Sequence, residues 1–319
     1  MSNIIIGIHG LGNKVSPEIL ESWWKSAINE GLTGIGKEEV EFDFKMIYWA
    51  DVLYEKPICE NSIDEKYTVG VKTPVANPSA IRKIFLDILE MGTDKIFLND
   101  DLTLNYSFLF DSYVHRNFRD LEIYYASNKN NAVKSRKEFK DIVREKVIKV
   151  LLKHRNDNIF LVCHSMGSII AYDALMLLSN KIQLDTLTTF GSPLGQPYVI
   201  SKAAAEFNKL GFKNKKLIVP EAVENYWYNF SDLDDKVAIN YQLADDYLPN
   251  KKGTKVTDII VKNNYEYNGV KNPHKSFGYL RTPEFSNVLY NFIISEKKKP
   301  ANLFVKLADK LNRFFKRIG

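Results

Sequence analysis

Short runs of apolar, often β-branched residues alternate along the chain with longer stretches in which apolar residues recur every three or four positions. This alternation predicts parallel strands joined by helical crossovers. Ile4–Ile8 reads as a buried strand, followed by a loop and a helix around Pro17–Glu30. Phe42–Trp49 is the next strand. Lys137–His154 is an amphipathic helix with Phe139, Ile142, Val143, Val147, Val150 and Leu151 on one stripe. Ile159–Cys163 reads as a strand, Gly167–Leu178 as a helix, and Thr186–Phe190, Tyr226–Phe230 and Val256–Val261 as three further strands. The result is an α/β fold: a mainly parallel, six-stranded, doubly wound sheet with helices on both faces. Ligands of such sheets gather at the carboxyl ends of the strands.

The pattern breaks from Val52 to about Lys134, a stretch rich in Tyr and Phe with prolines at 57, 74 and 78. A structureless loop of that length is improbable in a compact domain, so the segment reads as a helical insertion, part of it a cap over a site. The chain thus divides into one α/β domain over residues 1–296, with the insertion at about 52–134 inside it, and a distinct tail at 297–319.

With 319 residues, 45% hydrophobic and 26% charged, the chain has the composition of a globular protein able to bury a large core. Its two cysteines, Cys59 and Cys163, have neither disulfide-framework nor metal-ligand spacing. The start, MSNIIIGIHG, lacks the basic and apolar regions of a signal peptide, and no apolar run approaches a membrane span. A cytoplasmic protein is expected. The net charge of +5 does not point to nucleic acid, because residues 297–319 hold eight Lys or Arg against one Asp, a net of +7, and leave the body slightly acidic. In that tail Phe304, Leu307, Ala308, Leu311, Phe314, Phe315 and Ile318 form an apolar helical face opposite the basic one. Such a helix suits peripheral contact with the inner membrane surface, and equally well packing on its own domain or on a second subunit.

The candidate chemistry lies at the strand ends. LVCHSMG (161–167) sets Ser165 between a strand and a helix, the context of a nucleophile elbow, with Cys163 and Gly167 as the small flanking residues. On these residues alone, helix capping by Ser165 fits as well as catalysis. An attacking hydroxyl needs a base oriented by an acid, in the chain order Ser, acid, His. Of the five histidines, only His274 lies beyond the last strand. The segment NFSDLDDKVA (229–238) offers Asp232, Asp234 and Asp235; Asp235 is preferred, because Val237 and Ala238 can anchor the loop, and Asp232 is the alternative. For the oxyanion, the backbone N–H of Met166 and that of Leu11 in HGLGN (9–13) are the expected donors.

HGLG after the first strand, HSMG at the elbow, DLDDKVA after the fifth strand and NPH after the sixth together resemble an α/β-hydrolase of the lipase and esterase type over about residues 3–295. The resemblance implies a serine hydrolase with the triad Ser165, Asp235 and His274, acting on a small-molecule ester, with an apolar acyl or lipid substrate favoured by the aromatic insertion and basic tail. A thioesterase or amidase would use the same triad, and a catalytically silent module that binds lipid or protein is the alternative outside catalysis. Two departures stand out: Cys163 replaces the usual glycine, and the two leading strands of larger members are missing, so the sheet should begin at the neighbour of the HG strand. No cofactor is expected. His9 and His164 have no metal-ligand spacing, so no metal is expected either. GLTGIGKE (31–38) nearly matches a phosphate-binding loop but lacks the final hydroxyl and follows a helix, so it reads as a helix-ending turn.

Overall fold

The computed structural model describes residues 2–38, 40–60, 66–70, 82–84, 86–87, 92, 96–105, 118–126, 135–209, 216–238 and 240–295. Its strands are β1 (Asn3–Ile8), β2 (Asp43–Ile47), β3 (Asn158–His164), β4 (Leu184–Phe190), β5 (Leu217–Ile218), β6 (Val223–Ser231), β7 (Tyr247–Leu248), β8 (Val256–Ile260), β9 (Glu266–Tyr267) and β10 (Val270–Lys271). Its principal helices are α1 (Pro17–Gly34), α2 (Arg119–Tyr125), α3 (Ser135–Lys153), α4 (Met166–Leu178), α5 (Pro197–Lys209), α6 (Ser276–Leu280) and α7 (Pro283–Ile294).

Six strands form one sheet in the order β2-β1-β3-β4-β6-β8, with every pairing parallel. These are the six strands read from the apolar runs, and the edge strand β2 is the neighbour of the HG strand β1. The pleat sends alternate side chains to opposite faces. Ile4, Ile6, Ile8, Ile159, Leu161 and Cys163 join one core with α3, α4 and α5. Ile5, Phe160, Val162, Phe44 and Met46 join a second core with α1, α6 and α7. Strands buried on both faces carry continuous apolar runs, which is why β1 and β3 stand out in the sequence.

Helix α3 buries Phe139, Val143, Val147 and Leu151, a row spaced by four residues, but not every residue of the expected stripe. Ile142 lies off that row and is 43% exposed, so its assignment to the apolar face is corrected. The near match to a phosphate loop is a helix end. Gly36 takes φ +72°, its N–H donates to Thr33 O and the Lys37 N–H to Leu32 O, the Schellman pattern that glycine permits.

Of the expected insertion, α2 and shorter pieces are described, and the remainder lies outside the described residues, as does the whole 297–319 tail. Among the described residues no helix is long and apolar enough to cross a membrane.

At Gly167, α4 lies directly against the backbone at the end of β1. A Cβ there would sit 2.5 Å from Ile8 O and 2.7 Å from His9 O, both backbone atoms that cannot rotate away. Gly167→Ala is therefore expected to destabilise the fold by about 1–3 kcal/mol despite alanine's better helix propensity, measured by urea unfolding. A stability equal to wild type would show that β1 and α4 can separate at no cost.

Candidate active site

Ser165 sits between β3 and α4 at φ 52°, ψ −127°, a backbone region that costs a non-glycine residue about 1–3 kcal/mol. Its side chain makes no capping hydrogen bond to α4, so the capping role open to it in the sequence is not the one it fills. The turn is held by its backbone. The Ser165 N–H donates to Phe190 O (3.0 Å), and its carbonyl accepts from the Ser168 N–H (2.9 Å) and hydroxyl (2.6 Å). Cys163 is fully buried beneath it, and burial pushes its thiol pKa well up.

The freed hydroxyl meets His274. Ser165 Oγ lies 2.9 Å from His274 Nε2, and His274 Nδ1 lies 2.8 and 3.0 Å from the two Asp235 oxygens. The Asp235 carboxylate also accepts from the Val237 N–H (2.9 Å) and the Tyr279 hydroxyl (2.8 Å). With only acceptors facing Nδ1, the ring proton belongs there, and Nε2 is left to accept from the serine. His274 is a quarter exposed at its side chain while Asp235 is fully buried, so the pair meets the cavity through the imidazole.

The other two aspartates are accounted for. Asp234 pairs with Lys262 and with Arg82. Asp232 does not reach the histidine; it accepts from the Asn263 N–H (2.7 Å) and the Asp234 N–H (2.8 Å), and burial raises its pKa. Asn263 in turn donates through Nδ2 to the carbonyls of Pro273 (2.9 Å) and Lys275 (2.8 Å), on either side of His274. Asp232 thus ties the acid loop to the histidine loop. A further clamp comes from His164, whose Nε2 lies 2.6 Å from the His274 carbonyl.

The loop after β1 is fixed peptide by peptide. His9 Nδ1–H donates to Gly10 O (2.8 Å), while its Nε2 accepts from the Trp49 N–H (3.0 Å) and its ring stacks on Trp49 at 4.8 Å. A trans peptide directs its C=O and N–H oppositely, so holding the Gly10 carbonyl also sets the direction of the Leu11 N–H. Lys14 Nζ donates to the carbonyls of Leu11 (2.5 Å) and Gly12 (2.8 Å), and the buried Asp120 of α2 accepts from the Gly12 N–H (2.6 Å) and the Tyr54 hydroxyl (2.7 Å). The backbone N–H groups of Leu11 and Met166 have no hydrogen-bond partner among the described residues. Both residues line the space next to Ser165.

That space has two lobes meeting at Ser165, Leu11, Phe118 and Val237. The larger, about 210 Å³, runs along Val15, Leu20, Trp23, Trp24 and Phe277 and includes His274. The smaller, about 30 Å³, lies among Leu121, Met166, Ile169, Tyr198 and Val199.

Tyr279, Asp120, Lys14 and the bracing roles of His9 and His164 were not assigned from sequence. HGLGN and HSMG contain the two histidines, but nothing in either motif distinguishes a brace from a base. Asp120 lies in the insertion, where no motif surrounds it. Among the described residues no group of side chains could hold a metal ion. No protein-family model matches the chain, and no curated protein is significantly similar to it.

Two outcomes follow. Cys163 is buried and Cys59 exposed, so a thiol reagent should modify one cysteine in the native protein and both after denaturation; native reaction of both would place Cys163 at an accessible surface. His9 and His164 are buried, with pKa values driven well below 6.5, chiefly by desolvation, with the charges of Lys14 and His274 respectively adding to it. A histidine neutral in the fold but protonatable when unfolded loses native stability as pH falls through its unfolded value. Urea stability should therefore be level above about pH 7 and decline below 6.5 by up to about 1.4 kcal/mol per pH unit for each histidine, with a shallower decline in His164→Gln. An unchanged slope in that variant would show that His164 does not carry it.

Proposed function

We propose that this chain is a serine ester hydrolase of the α/β-hydrolase type. The observation that carries the reading is one serine hydroxyl, held out of a strained turn and 2.9 Å from a histidine that is backed by a buried carboxylate. A silent binding module has no use for a backbone strain that serves no capping bond.

In this mechanism His274 Nε2 takes the Ser165 proton as Oγ bonds to the acyl carbon of the substrate. The negative charge moving onto the carbonyl oxygen is met by the N–H groups of Leu11 and Met166. Asp235 keeps the imidazole in the accepting tautomer and stabilises its cation. The bond from the acyl carbon to the leaving oxygen then breaks, and His274 delivers the proton to that oxygen. Water, deprotonated by the same Nε2, cleaves the acyl-serine, returns the proton to Oγ and releases the acid. An alcohol, thiol or amine leaves by the same steps, and the esterase-like motifs HGLG and HSMG favour the ester.

A fluorophosphonate probe tests the assignment. Labelling is expected at Ser165 and lost in Ser165→Ala, and ester turnover should fall by at least about 10³-fold in that variant and in His274→Ala. Labelling elsewhere, or unchanged in Ser165→Ala, would sink the reading. Matched ester, thioester and anilide substrates rank the leaving groups.

A further inference from the structure

His164, the residue before Ser165, has two ring nitrogens in different surroundings. Nε2 lies 2.6 Å from the His274 carbonyl oxygen, which can only accept, so the ring proton sits on Nε2. Nδ1 then presents a bare lone pair, and among the described residues no donor reaches it. Burial holds the pKa of the ring well below 6.5, with the charge of His274 adding to it, so Nδ1 remains an acceptor at neutral pH.

That acceptor opens on the larger lobe. His164 is only 9% exposed, yet Nδ1 is not among the atoms enclosed without a partner, and the residue lines the larger lobe and not the smaller. Gly10 keeps the nitrogen uncovered: a Cβ there would stand 2.9 Å from Nδ1 and 2.9 Å from Ser165 Cβ. The acceptor and the serine are therefore neighbours across one glycine. Leaving a polar atom so deeply placed without a donor costs free energy, which a ligand in the lobe recovers by supplying one.

The ligand part that meets Nδ1 follows from the position of His274, which lines the same lobe. In acyl transfer that histidine must reach the departing oxygen in order to protonate it, so the leaving group occupies this lobe. One water-sized group needs about 10–15 Å³, so about 210 Å³ admits a ring or a branched chain. Val15, Leu20, Trp23 and Phe277 offer apolar walls to its carbon skeleton. A polar atom set among such walls fixes the orientation of what binds.

We propose that His164 Nδ1 accepts a hydrogen bond from a hydroxyl of the leaving alcohol, so that the substrate is a partial ester of a diol, polyol or hydroxylated ring, with a free hydroxyl close to the esterified one. The proposal rests on the serine-hydrolase reading and narrows its substrate. In the acylation step the Ser165 Oγ–acyl bond forms, the bond from the acyl carbon to the ester oxygen breaks, and the Oγ proton ends on that oxygen. The second hydroxyl keeps its proton throughout and holds the alcohol against His164. An alcohol without it leaves Nδ1 unpaired, the situation in which a site discriminates most sharply.

The test compares kcat/KM for phenyl acetate, the isomeric hydroxyphenyl acetates and their methoxy counterparts, each divided by the rate of alkaline hydrolysis of the same ester. At least one hydroxyphenyl isomer should exceed both its methoxy counterpart and phenyl acetate by about ten-fold or more. In His164→Gln, whose amide N–H can still donate to the His274 carbonyl but which has no atom in place of Nδ1, that ratio should fall to about one whatever the absolute rates. A second readout serves if that variant does not fold: in Ser165→Ala the nitrogen-15 resonance of His164 Nδ1 should move upfield when the dihydroxybenzene of the preferred isomer is added, and not with its dimethyl ether. If Ser165 is labelled but no ester turns over, inactivation rates with aryl methylphosphonate esters bearing the same hydroxyl and methoxyl groups give the same order. A hydroxyl preference absent from the wild type, one that persists in folded His164→Gln, or a resonance that ignores the hydroxyl overturns the proposal, while labelling of Ser165 keeps the hydrolase reading. Absence of labelling at Ser165 overturns both.

Discussion

A serine at positive φ between β3 and α4 is the constraint around which the rest of the site is arranged. The residue cannot relax into the helix without withdrawing its hydroxyl from His274, and it cannot stay where it is unless its neighbours hold it. The sheet supplies one hold, through the Phe190 carbonyl on the adjacent strand, and Ser168 supplies another from the first turn of α4. Small residues make the geometry sterically feasible. Gly167 lets α4 rest on the backbone of β1, and Gly191, at φ +50°, leaves room where a Cβ would come within 2.5 Å of Asp235 and 2.9 Å of His274. The strain is sustained by a rigid, doubly packed sheet, and a looser scaffold would release it.

The same principle governs the two loops that bring Asp235 and His274 together. Neither is long enough in regular structure to be rigid by itself, and each is bound instead through buried polar groups with defined partners. Asp232, Asn263, Tyr279 and His164 form this framework: the Tyr279 hydroxyl donates to Asp235 and accepts from the Asp232 N–H, the Asp232 carboxylate accepts from the Asn263 N–H, and Asn263 and His164 bind the carbonyls of Pro273 and His274. In a low-dielectric interior such a network is favourable only when complete, since a buried donor or acceptor without a partner costs about 1–3 kcal/mol. Loss of one member therefore disturbs the triad's geometry as well as the stability of the fold.

Helix α2 gives the insertion a structural part in the site. Asp120 at its first turn grips the loop of Leu11 and Gly12, and Tyr124 one turn later donates to Asp173 of α4, the helix that begins after Ser165. Asp173 is in turn bound by Arg144 (2.9 Å) and Lys140 (3.1 Å), which also reach Glu206 of α5. The cluster joins α2, α3, α4 and α5, and removal of one partner would leave a charge uncompensated in the core. One short helix so links the loop of Leu11 and Gly12 to the helix that follows Ser165 and to the wall of the small lobe.

Much of this was legible in the sequence, and for identifiable reasons. The apolar runs of β1 and β3 and the periodicity of α3 report burial directly, because period and burial are properties of consecutive residues. HGLG, HSMG, the DLDD loop and NPH could be assigned to strand ends because a doubly wound sheet admits few chain orders, and the geometry then placed Ser165, Asp235 and His274 within hydrogen-bond reach. The choice between Asp235 and Asp232 was of another kind. Only two residues lie between them, both are buried, and only the way the loop folds over Asn263 and Tyr279 decides which carboxylate meets the imidazole. The same holds for Ile142, whose exposure depends on what α3 packs against, and for Asp120, whose partner lies 108 residues away. The sequence by itself determined the strands, their order of use and the chemistry available at their ends, because these follow from local pattern and chain connectivity. Tertiary structure alone decided which carboxylate meets His274, which histidines brace and how large each lobe is, because hydrogen bonds and packing between distant segments leave no periodic trace in the chain.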